Sequence, residues 1–523
     1  MSKNIISPLI FLLFLGIILF NPTGSIAISG AEEEVTTVTV GEGLISQNGI
    51  IYENITIDVP ISEAIANSSS CCGGEADVYA KANSYGIRLS DNSNYNKFKY
   101  INLNTVASKA TATTEIGYAE AIASAYGIHL QESSENTFQY IDLDHISGQV
   151  SASTDKGDTF SDVNTYGIYL NNSSGNSFEF INIKSNEFGA RNNSANNTIH
   201  YSKITDNSEY GIKNETGNFL EASLNWWGST DGPEVELNWK SFDYEGEGEL
   251  VLGKGPVAFS PWLLENPDGN PEEPGVQLNS PFTILAKKVG PTPTTKSGNT
   301  GYLDMAIWGA SNVSQKGRII VPHGSYKLEE PISNNVELLS ETGSTCNTYI
   351  KDVQNSEISL TGGSVKIGKL EETTPRGFVI KDKVIVNPGV DASSSHLNWN
   401  DLRNMVVNTG SGRLNAEYNW WGDLDPSDDV IGEVDYRPFL PEEPCSFSNY
   451  MEDHNIENPR AAIADRMLAG STCSEQLPAK LIANYHIRPR EAEDLIDEFG
   501  CYSIRRALDR EKVDFKAFKA ALR

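Results

Sequence analysis

The chain is poor in basic residues relative to acidic ones. Its 523 residues include 40 Lys and Arg against 70 Asp and Glu, which gives a formal net charge of −30. Because such a field repels phosphate groups, neither nucleic acid nor an anionic membrane surface is a predicted partner. The acidic balance is typical of an exported protein, of one that binds divalent cations, or of one that is simply soluble.

Long apolar runs are lacking beyond the N-terminus. Lys3, the apolar run from Leu9 to Phe20 and the small residues before Ala27 predict a signal peptide over residues 1–27. The run is short for a spanning helix, and an uncleaved anchor is the alternative. No later stretch reaches about 18 apolar residues. We therefore expect an extracellular or cell-surface protein without an integral membrane span after cleavage.

Cysteine is scarce, and no CxxC pair occurs among the six, which disfavours zinc. An exported chain meets conditions that permit disulfides, although the sequence does not give their connectivity. We expect at least one bridge among the last three cysteines, and Cys346 stands alone. The disulfide candidates are Cys71, Cys72, Cys445, Cys473 and Cys501.

Sequons for N-glycosylation are frequent, and they matter only in a host that glycosylates exported proteins. The predicted acceptors are Asn54, Asn67, Asn172, Asn196, Asn214 and Asn312.

The chain does have a repeated five-residue motif, which we call the phrase. Tyr85-Gly86-Ile87-Arg88-Leu89 recurs from Tyr126 and from Tyr166, and degenerate copies start at Phe188 and Tyr210. Steps of about 20–22 residues predict a solenoid, in which each unit stacks on its neighbour. The two steps of about 40 residues then correspond to two units each. Their Ala/Ser/Thr-rich inserts, 107–125 and 148–165, are predicted to form extra coils.

Each phrase alternates apolar and polar residues. The Ile and Leu residues are predicted to face the core, and Arg88, His129 and Tyr169 to face outward. Since these three differ in chemistry, they are not predicted to form a repeated binding unit. A buried ladder of side-chain amides is expected at one corner of the stack. Its members are Asn96, Asn136, Asn176 and Asn197.

The phrase, followed by an Asn/Ser turn and then Asn-x-Phe-x-x-Ile-x-Ile, resembles the repeats of right-handed parallel β-helices. These belong to the pectin-lyase-like superfold, including its carbohydrate-binding and sugar-hydrolase branch. The resemblance covers Val35 to Trp262 and implies a fold rather than one function. A second stretch, Arg318 to Leu328, resembles the first strand of pectate-lyase-like β-helices, behind a short helical pattern at 302–310.

The same closing motif occurs twice. Leu224-Asn225-Trp226-Trp227-Gly228 ends the repeats, and Asn419-Trp420-Trp421-Gly422 returns later. Paired indoles either cover the open end of a core or stack on sugar rings. Trp226, Trp227, Trp420 and Trp421 are therefore the candidates for ligand stacking.

The predicted fold class is mainly β, with two tandem right-handed parallel β-helices followed by a small α-helical domain. The predicted boundaries are 1–27 for the signal peptide, 35–263 for the first β-helix, 264–300 for a Pro/Gly-rich linker, 301–440 for the second β-helix with its N-terminal capping helix, and 445–523 for the helical domain. Helices are expected at Pro459–Leu468, from Ser474 to Tyr485, from Pro489 to Gly500, and in two short segments beyond it.

Catalytic machinery is not recognisable in the sequence. Lyases of the resembled superfold use Ca²⁺ carboxylates and a base, whereas hydrolases use paired carboxylates. The acidic residues after the second Trp pair are weak Ca²⁺ candidates, and a solvated acidic turn is the alternative. They are Asp423, Asp425, Asp428 and Asp429. No other cofactor is predicted.

The sequence therefore favours a secreted or cell-surface structural and interaction protein, which docks or self-assembles through its helical C-terminal domain. Its expected partners are a surface polysaccharide or another surface protein. The alternatives are an extracellular polysaccharide lyase or glycoside hydrolase, and a non-catalytic carbohydrate-binding protein.

Overall fold

The computed structural model describes residues 38–39, 44–45, 49–59, 61–68, 77–143, 146–294, 301–333, 335–343, 345–351, 357–423, 426–468, 477–488, 491–492 and 495. The signal peptide at 1–27, the cysteines Cys71, Cys72, Cys473 and Cys501, and most of the helical pattern after Pro489 lie outside them. Strands make up 48% of the structure and helices 12%, so the protein is mainly β, as predicted. Within the described residues, no helix has both the length and the apolar composition needed to cross a bilayer.

Short strands dominate the chain. Up to residue 258 they are β1 (Val38–Thr39), β2 (Leu44–Ile45), β3 (Ile51–Asp58), β4 (Ser62–Ser68), β5 (Val78–Leu89), β6 (Lys97–Ile116), β7 (Ala119–Gln131), β8 (Thr137–Leu143), β9 (Ile146–Lys156), β10 (Thr159–Asn171), β11 (Ser177–Lys184), β12 (Phe188–Asn193), β13 (Thr198–His200), β14 (Lys203–Thr205), β15 (Tyr210–Asn214), β16 (Leu220–Glu221), β17 (Pro233–Leu237), β18 (Phe242–Tyr244), β19 (Gly248–Gly253) and β20 (Val257–Ala258).

The later strands are β21 (Trp262–Leu263), β22 (Phe282–Leu285), β23 (Gly317–Val321), β24 (Gly324–Lys327), β25 (Val336–Ser340), β26 (Thr348–Lys351), β27 (Glu357–Leu360), β28 (Lys366–Ile367), β29 (Leu370–Glu371), β30 (Thr374–Pro375), β31 (Val379–Ile380), β32 (Lys383–Val386), β33 (His396–Leu397), β34 (Asp401–Leu402), β35 (Val406–Asn408), β36 (Leu414–Asn415), β37 (Val430–Ile431) and β38 (Val434–Asp435). The helices are α1 (Tyr302–Ser311), α2 (Pro444–Asp453), α3 (Pro459–Leu468) and α4 (Leu477–Tyr485).

The chain forms two compact units. The first comprises Met1–Glu221, Trp227–Val257 and Asp268–Gln277, and the second Ala222–Trp226, Ala258–Pro267 and Leu278–Arg523. In the first unit, sheet A contains β1, β3, β6, β8, β11, β13 and β16 in that spatial order, and sheet B runs from β2 through β5, β7, β10, β12 and β15 to β19. Neighbours in both sheets pair in parallel, so we call one pass of the chain through both sheets a rung.

The long steps of the repeat are single rungs, and the prediction of extra coils is wrong. Tyr85 pairs directly with Tyr126, and Tyr126 with Tyr166, although about 40 residues separate each pair in the chain. The extra residues lengthen the strands of the same rung: β6 continues beyond sheet A, and β7 returns to sheet B. An alternation of Ala, Ser and Thr is compatible with one long strand as well as with a new coil, so the sequence pattern could not distinguish the two.

The lengthened strands form a two-layered extension, which we call the wing. One layer is β4, the second half of β6 and β9, and the other is the first halves of β5, β7 and β10. Its core consists almost entirely of small side chains, including Ala80, Ala110, Ala121 and Ala123. Because alanine fills so little space, the two layers approach closely.

The four asparagines of the predicted ladder lie at one corner of the first unit, and all are buried. Asn136 donates from Nδ2 to Oδ1 of Asn176 over 3.1 Å, and Asn96 donates to Asn136 over 3.0 Å in the same way. Oδ1 of Asn136, Asn176 and Asn197 also accepts the backbone N–H of the preceding ladder residue, and Oδ1 of Asn96 accepts that of Ile50. The amides thus satisfy buried backbone donors at the turn.

In the second unit the chain visits three parallel sheets in a cyclic order. One sheet contains β23, β25, β28, β33, β36 and β38, the next β24, β26, β31 and β34, and the third β27, β32, β35 and β37. A short amide ladder is present here too, since Asn400 donates to Oδ1 of Asn419 over 3.2 Å. The sequence did not predict it, because only two members exist.

The Pro/Gly-rich segment predicted as a linker at 264–300 is partly structured. It contains β22, which pairs with β21 and β23. Earlier in the same segment, the backbone N–H of Val276 donates to the carbonyl of Phe180 over 2.9 Å. Proline and glycine do not prevent a segment from packing; they only limit which backbone groups it can offer.

Helix α1 lies within one residue of its predicted end, and α3 agrees with its predicted bounds. Helix α2 was not predicted, because it begins inside the sequence Pro441-Glu442-Glu443-Pro444. Cys445 of α2 forms a disulfide with Cys346, a residue that was not among the candidates. The Ser448 hydroxyl also donates to the Thr373 carbonyl over 3.1 Å, so α2 is fastened to the strands of its own unit.

Candidate functional site

A column of aromatic rings crosses sheet B, at the first residue of each repeat. Neighbouring rings stack with centroids between 4.9 and 5.3 Å apart. The ring column consists of Tyr85, Tyr126, Tyr166, Phe188 and Tyr210. Because each ring uses its faces on the rungs above and below, the column stabilises the stack and offers a ligand mainly ring edges.

Beside the ring column runs a second line of residues, three positions further along each repeat. The strand register places them directly next to one another. This cation stripe consists of Arg88, His129, Tyr169, Arg191 and Lys213. Parallel in-register pairing thus brings residues of unlike chemistry into one line, and whether that line binds anything stays a prediction.

The cations of the stripe lie over the ring column. The Arg88 guanidinium carbon is 4.6 Å from the centroid of Tyr85, and Lys213 Nζ is 5.5 Å from that of Tyr210. His129 packs between the rings and is only 7% exposed. Burial lowers the pKa of His129 to about 4, and the neighbouring Arg88 charge acts in the same direction. The imidazole is therefore neutral near pH 7 and contributes no charge to the stripe.

One carboxylate neutralises the end of the stripe. Glu215 lies 2.9 Å from Arg191 and 3.6 Å from Lys213. Burial acts to lower the pKa of Arg191, but its hydrogen bonds to Glu215 and Tyr166 outweigh burial, and the pKa lies above its ordinary value. The Arg191 side chain is thus a fixed, paired cation rather than a free one.

The stripe ends at an open cleft of about 380 Å³. Its lining is formed by β15, β17, β18, β19 and the turns beside them, and most of the lining residues are polar, although their apolar atoms also face the cleft. The lining residues are Lys213, Asn214, Glu215, Glu236, Leu237, Asn238, Ser241, Asp243, Leu252, Gly253 and Lys254. The indole of Trp239 belongs to the short 3-10 turn Trp239–Ser241 beside the cleft, with Lys240 Nζ 4.5 Å from its ring centroid.

Two carboxylates face each other in the wall of the cleft. Glu236 of β17 and Asp243 of β18 are directly opposite in an antiparallel pair, and both are exposed. Side chains at such positions have Cβ atoms about 4.5–5.5 Å apart. A pair of carboxylates is also what most glycosidases use.

The tryptophans proposed for ligand stacking divide into two kinds. Trp227 is fully buried and Trp421 is 4% exposed, so the prediction that these two bind a ligand is wrong. An indole with no accessible face cannot stack on a sugar ring. Trp226 and Trp420 are half-buried.

The two closing motifs share further contacts, since Asn225 and Asn419 each donate from Nδ2 to the carbonyl three residues earlier.

Among the described residues, no three His, Cys, Asp or Glu side chains gather as a metal site. Asp423 and Asp428 are exposed and Asp429 is half-buried. Asp425, the remaining Ca²⁺ candidate, lies outside the described residues.

The predicted glycosylation sites differ in access. Asn54, Asn67, Asn172, Asn196 and Asn312 are exposed. Asn214 is fully buried, and its Nδ2 donates to the Asn218 carbonyl over 2.8 Å. Its prediction as an acceptor is wrong for the folded chain, because a buried and bonded amide cannot be reached by a glycosyltransferase.

The cleft was not predicted from the sequence. The cation stripe could have been found from the sequence, because the residue after Gly-Ile or Gly-Ala in the five repeats is Arg, His, Tyr, Arg and Lys in turn. The pair formed by Glu236 and Asp243 had no such signal, since it depends on the register of a short hairpin.

Comparison with known proteins yields no relative: no family model, no curated protein and no solved structure matches this chain. The fold and the site define a mainly β protein of stacked parallel strands with a polar surface cleft.

Proposed function

We propose that the chain is an exported, non-catalytic interaction protein whose cleft binds a saccharide chain. Both strand stacks are interpreted as β-helices of the pectin-lyase-like kind, and the cyclic order of the sheets and the amide ladders support this interpretation. The observation that carries the proposed function is the cleft at the end of the cation stripe.

The lining of the cleft favours a ligand rich in hydroxyl groups. Most pockets for drug-like ligands are lined by apolar side chains, with few polar groups. Here most of the lining residues carry a carboxylate, amide or ammonium group, among them Glu236, Asp243 and Lys254. Carboxylates accept and ammonium groups donate hydrogen bonds, and a sugar offers both partners. The neighbouring indole of Trp239 adds a surface for a sugar ring.

Affinity electrophoresis through gels containing single polysaccharides tests the proposal. We expect the parent chain to be retarded by at least one polysaccharide, and the E236Q/D243N variant to bind at least about tenfold more weakly, since hydrogen bonds to charged groups contribute about 1.5–3 kcal/mol. E234Q is the matched control, because Glu234 is exposed on the same strand but does not line the cleft. Equal binding by E236Q/D243N and E234Q would contradict the proposal.

A polysaccharide hydrolase is the second candidate, and the opposed pair Glu236 and Asp243 favours it over a lyase. The same polysaccharides are incubated with the chain, with and without Ca²⁺, and assayed for reducing ends and unsaturated products. Turnover that is lost in E236Q/D243N and kept in E234Q would replace the binding function by catalysis.

Export rests on the first 27 residues. N-terminal sequencing of protein recovered outside the producing cell should start at Ile28, and a chain that still carries Met1 would contradict cleavage.

In this proposal the C-terminal helices have a structural role, because α2 is bonded to its own unit at Cys346 and Thr373. Deleting residues 445–523 tests the predicted docking role. If the shortened chain still binds saccharide but is no longer retained at the surface, the helical domain has a docking role.

A further inference from the structure

The wing ends in a free strand edge. Strand β9 pairs with β6 along one side, and no strand of the described residues pairs with its other side. The facing layer is free at the same end, because β12 pairs with β10 only from Tyr166 onward. Both layers therefore expose backbone hydrogen-bonding groups at this end of the wing, which forms a template for another strand.

The free edge carries little protection against pairing. Strand β9 has 11 residues, contains no proline, and has no charged residue before Asp155. Natural edges are usually blocked by charges, prolines or bulges. Strand β4 at the opposite end differs, since its Glu63 forms a 2.8 Å ion pair with Lys109.

The small-residue core of the wing is also left open at β9. Val150 and Ala152 of β9 pack on the core and are only half-buried, as is Val163, the core-facing partner of Ala123 in the other layer. Covering these groups with the same groups of another layer would bury apolar surface and pair the free backbone.

The topology selects how a second copy can fit. Head-to-tail continuation, with β4 of one copy on β9 of the other, is blocked because β11 and β12 already occupy the next rung beside the wing. An antiparallel arrangement about a twofold axis avoids this, since it turns the second copy's rungs to the far side of the wing.

We propose that the wing is a dimerisation element, in which β9 of two copies pair antiparallel about Ser151. In this register Val150 faces Ala152, Gln149 faces Ser153, and Asp155 faces Ser147. No like charges meet between the two β9 strands, and the apolar core becomes continuous across the axis. The self-complementary pattern is why a second copy is the occupant rather than an unrelated strand. This inference does not depend on the saccharide cleft.

The test uses charge pairs at positions that face each other. Gln149 and Ser153 are both exposed, so substitution should leave the fold intact. By sedimentation equilibrium of the mature chain, we expect the parent to dimerise and Q149K/S153K to associate at least about tenfold more weakly, because like charges directly opposite destabilise a strand pair. Q149E/S153E should be weakened similarly, and an equimolar mixture of the two variants should form a heterodimer.

The matched control is I65K/N67K, which adds the same charges to exposed positions of β4. Circular dichroism of every variant checks folding. A monomeric parent would overturn the proposal, as would dimerisation of Q149K/S153K equal to that of the parent or of the control. Failure of the two charge variants to pair with each other would overturn the antiparallel register.

Discussion

A glycine follows the aromatic residue at the start of each repeat, and these glycines stack from rung to rung in sheet B. A Cβ atom at Gly127 would lie 2.7 Å from the carbonyl oxygen of Gly167 and 2.6 Å from Cδ1 of Ile146. The isoleucine can move, but the backbone oxygen is held by the sheet. Close approach, rather than an unusual backbone angle, therefore requires glycine here.

We expect Gly127→Ala to lower the free energy of unfolding by about 1–3 kcal/mol, as overpacking does in other cores. Urea denaturation of the variant and the parent measures this. Gly217→Ala is the control, since nothing lies within 4 Å of the added Cβ. If both variants unfold at the parent's midpoint, the rungs are not as closely packed as described.

Asp304 of α1 is one residue whose titration makes stability depend on pH. It is 1% exposed, and its Oδ1 accepts the backbone N–H groups of Glu329 and Glu330 over 2.9 and 3.1 Å. Burial raises its pKa to about 6, and the two hydrogen bonds oppose that shift only in part. The folded state therefore holds this proton more tightly than the unfolded chain, whose aspartate titrates near pH 3.9.

The stability that Asp304 contributes is present below about pH 4 and is lost as pH rises through 6, by roughly 2–3 kcal/mol. In Asp304→Asn we expect this loss between pH 4 and 6 to disappear, because the amide stays neutral and still accepts at Oδ1. Denaturation at a series of pH values measures the slope. Glu372→Gln, an exposed carboxylate of the same unit, should keep the parent's slope; a slope unchanged in Asp304→Asn would contradict the assignment.

At the scale of elements, the wing is where sequence and structure differ most. The alternation in the inserts predicts strands, and strands are there. Whether a strand continues past its rung or starts a new one depends on what its inner face meets. In the wing that face meets alanine from the opposite layer, so that Ala80 of β5 and Ala110 of β6 share one core although they are far apart in the sequence.

We expect Ala121→Leu to destabilise the wing by about 1–3 kcal/mol, because the fully buried methyl group has no room around it. Thr113→Leu adds a similar volume on the exposed face of β6 and should change stability by less than about 0.5 kcal/mol. Hydrogen exchange of the backbone amides in β6 and β7 distinguishes the two variants. Equal exchange rates in both variants would show that the layers are not in contact.

Elements with a local signal were predictable. Helix α3 has a proline at its first position, and α1 has an apolar pattern of helical period, so both were found from the sequence. The amide ladder and the closing motif had signals as well, because the residues recur at fixed offsets. The opposed pair of Glu236 and Asp243 depends on a hairpin register and had no such signal.

At the scale of the whole molecule, the second unit is closed by a covalent link between distant parts of the chain. The bond between Cys346 and Cys445 spans 99 residues of sequence. A crosslink of this span restricts the unfolded chain by up to about 4–5 kcal/mol in the chain-entropy model. The sequence left the pairing of Cys445 open, since spacing alone does not select a partner.

We expect C346S/C445S to unfold at lower urea concentration than the parent and to expose α2 to protease before the strands of the first unit. Limited proteolysis with mass spectrometry locates the first cuts. Reductant should reproduce the effect in the parent and add little to the variant. Unchanged protection of α2 in C346S/C445S would mean that packing on Thr373 and its neighbours is sufficient without the bond.

In sheet B, the register between neighbouring rungs does not depend on how many residues a rung contains. Rungs of 40 and 22 residues stack with the same pairing between ring positions, from Tyr126 to Tyr166 and from Tyr166 to Phe188. Extra residues can therefore enter a rung without shifting the pairing of the strands that follow it. For protein engineering, the turn between β6 and β7 is a grafting site: a foreign hairpin placed there would be displayed at the end of the wing, and the register of the later rungs would stay the same.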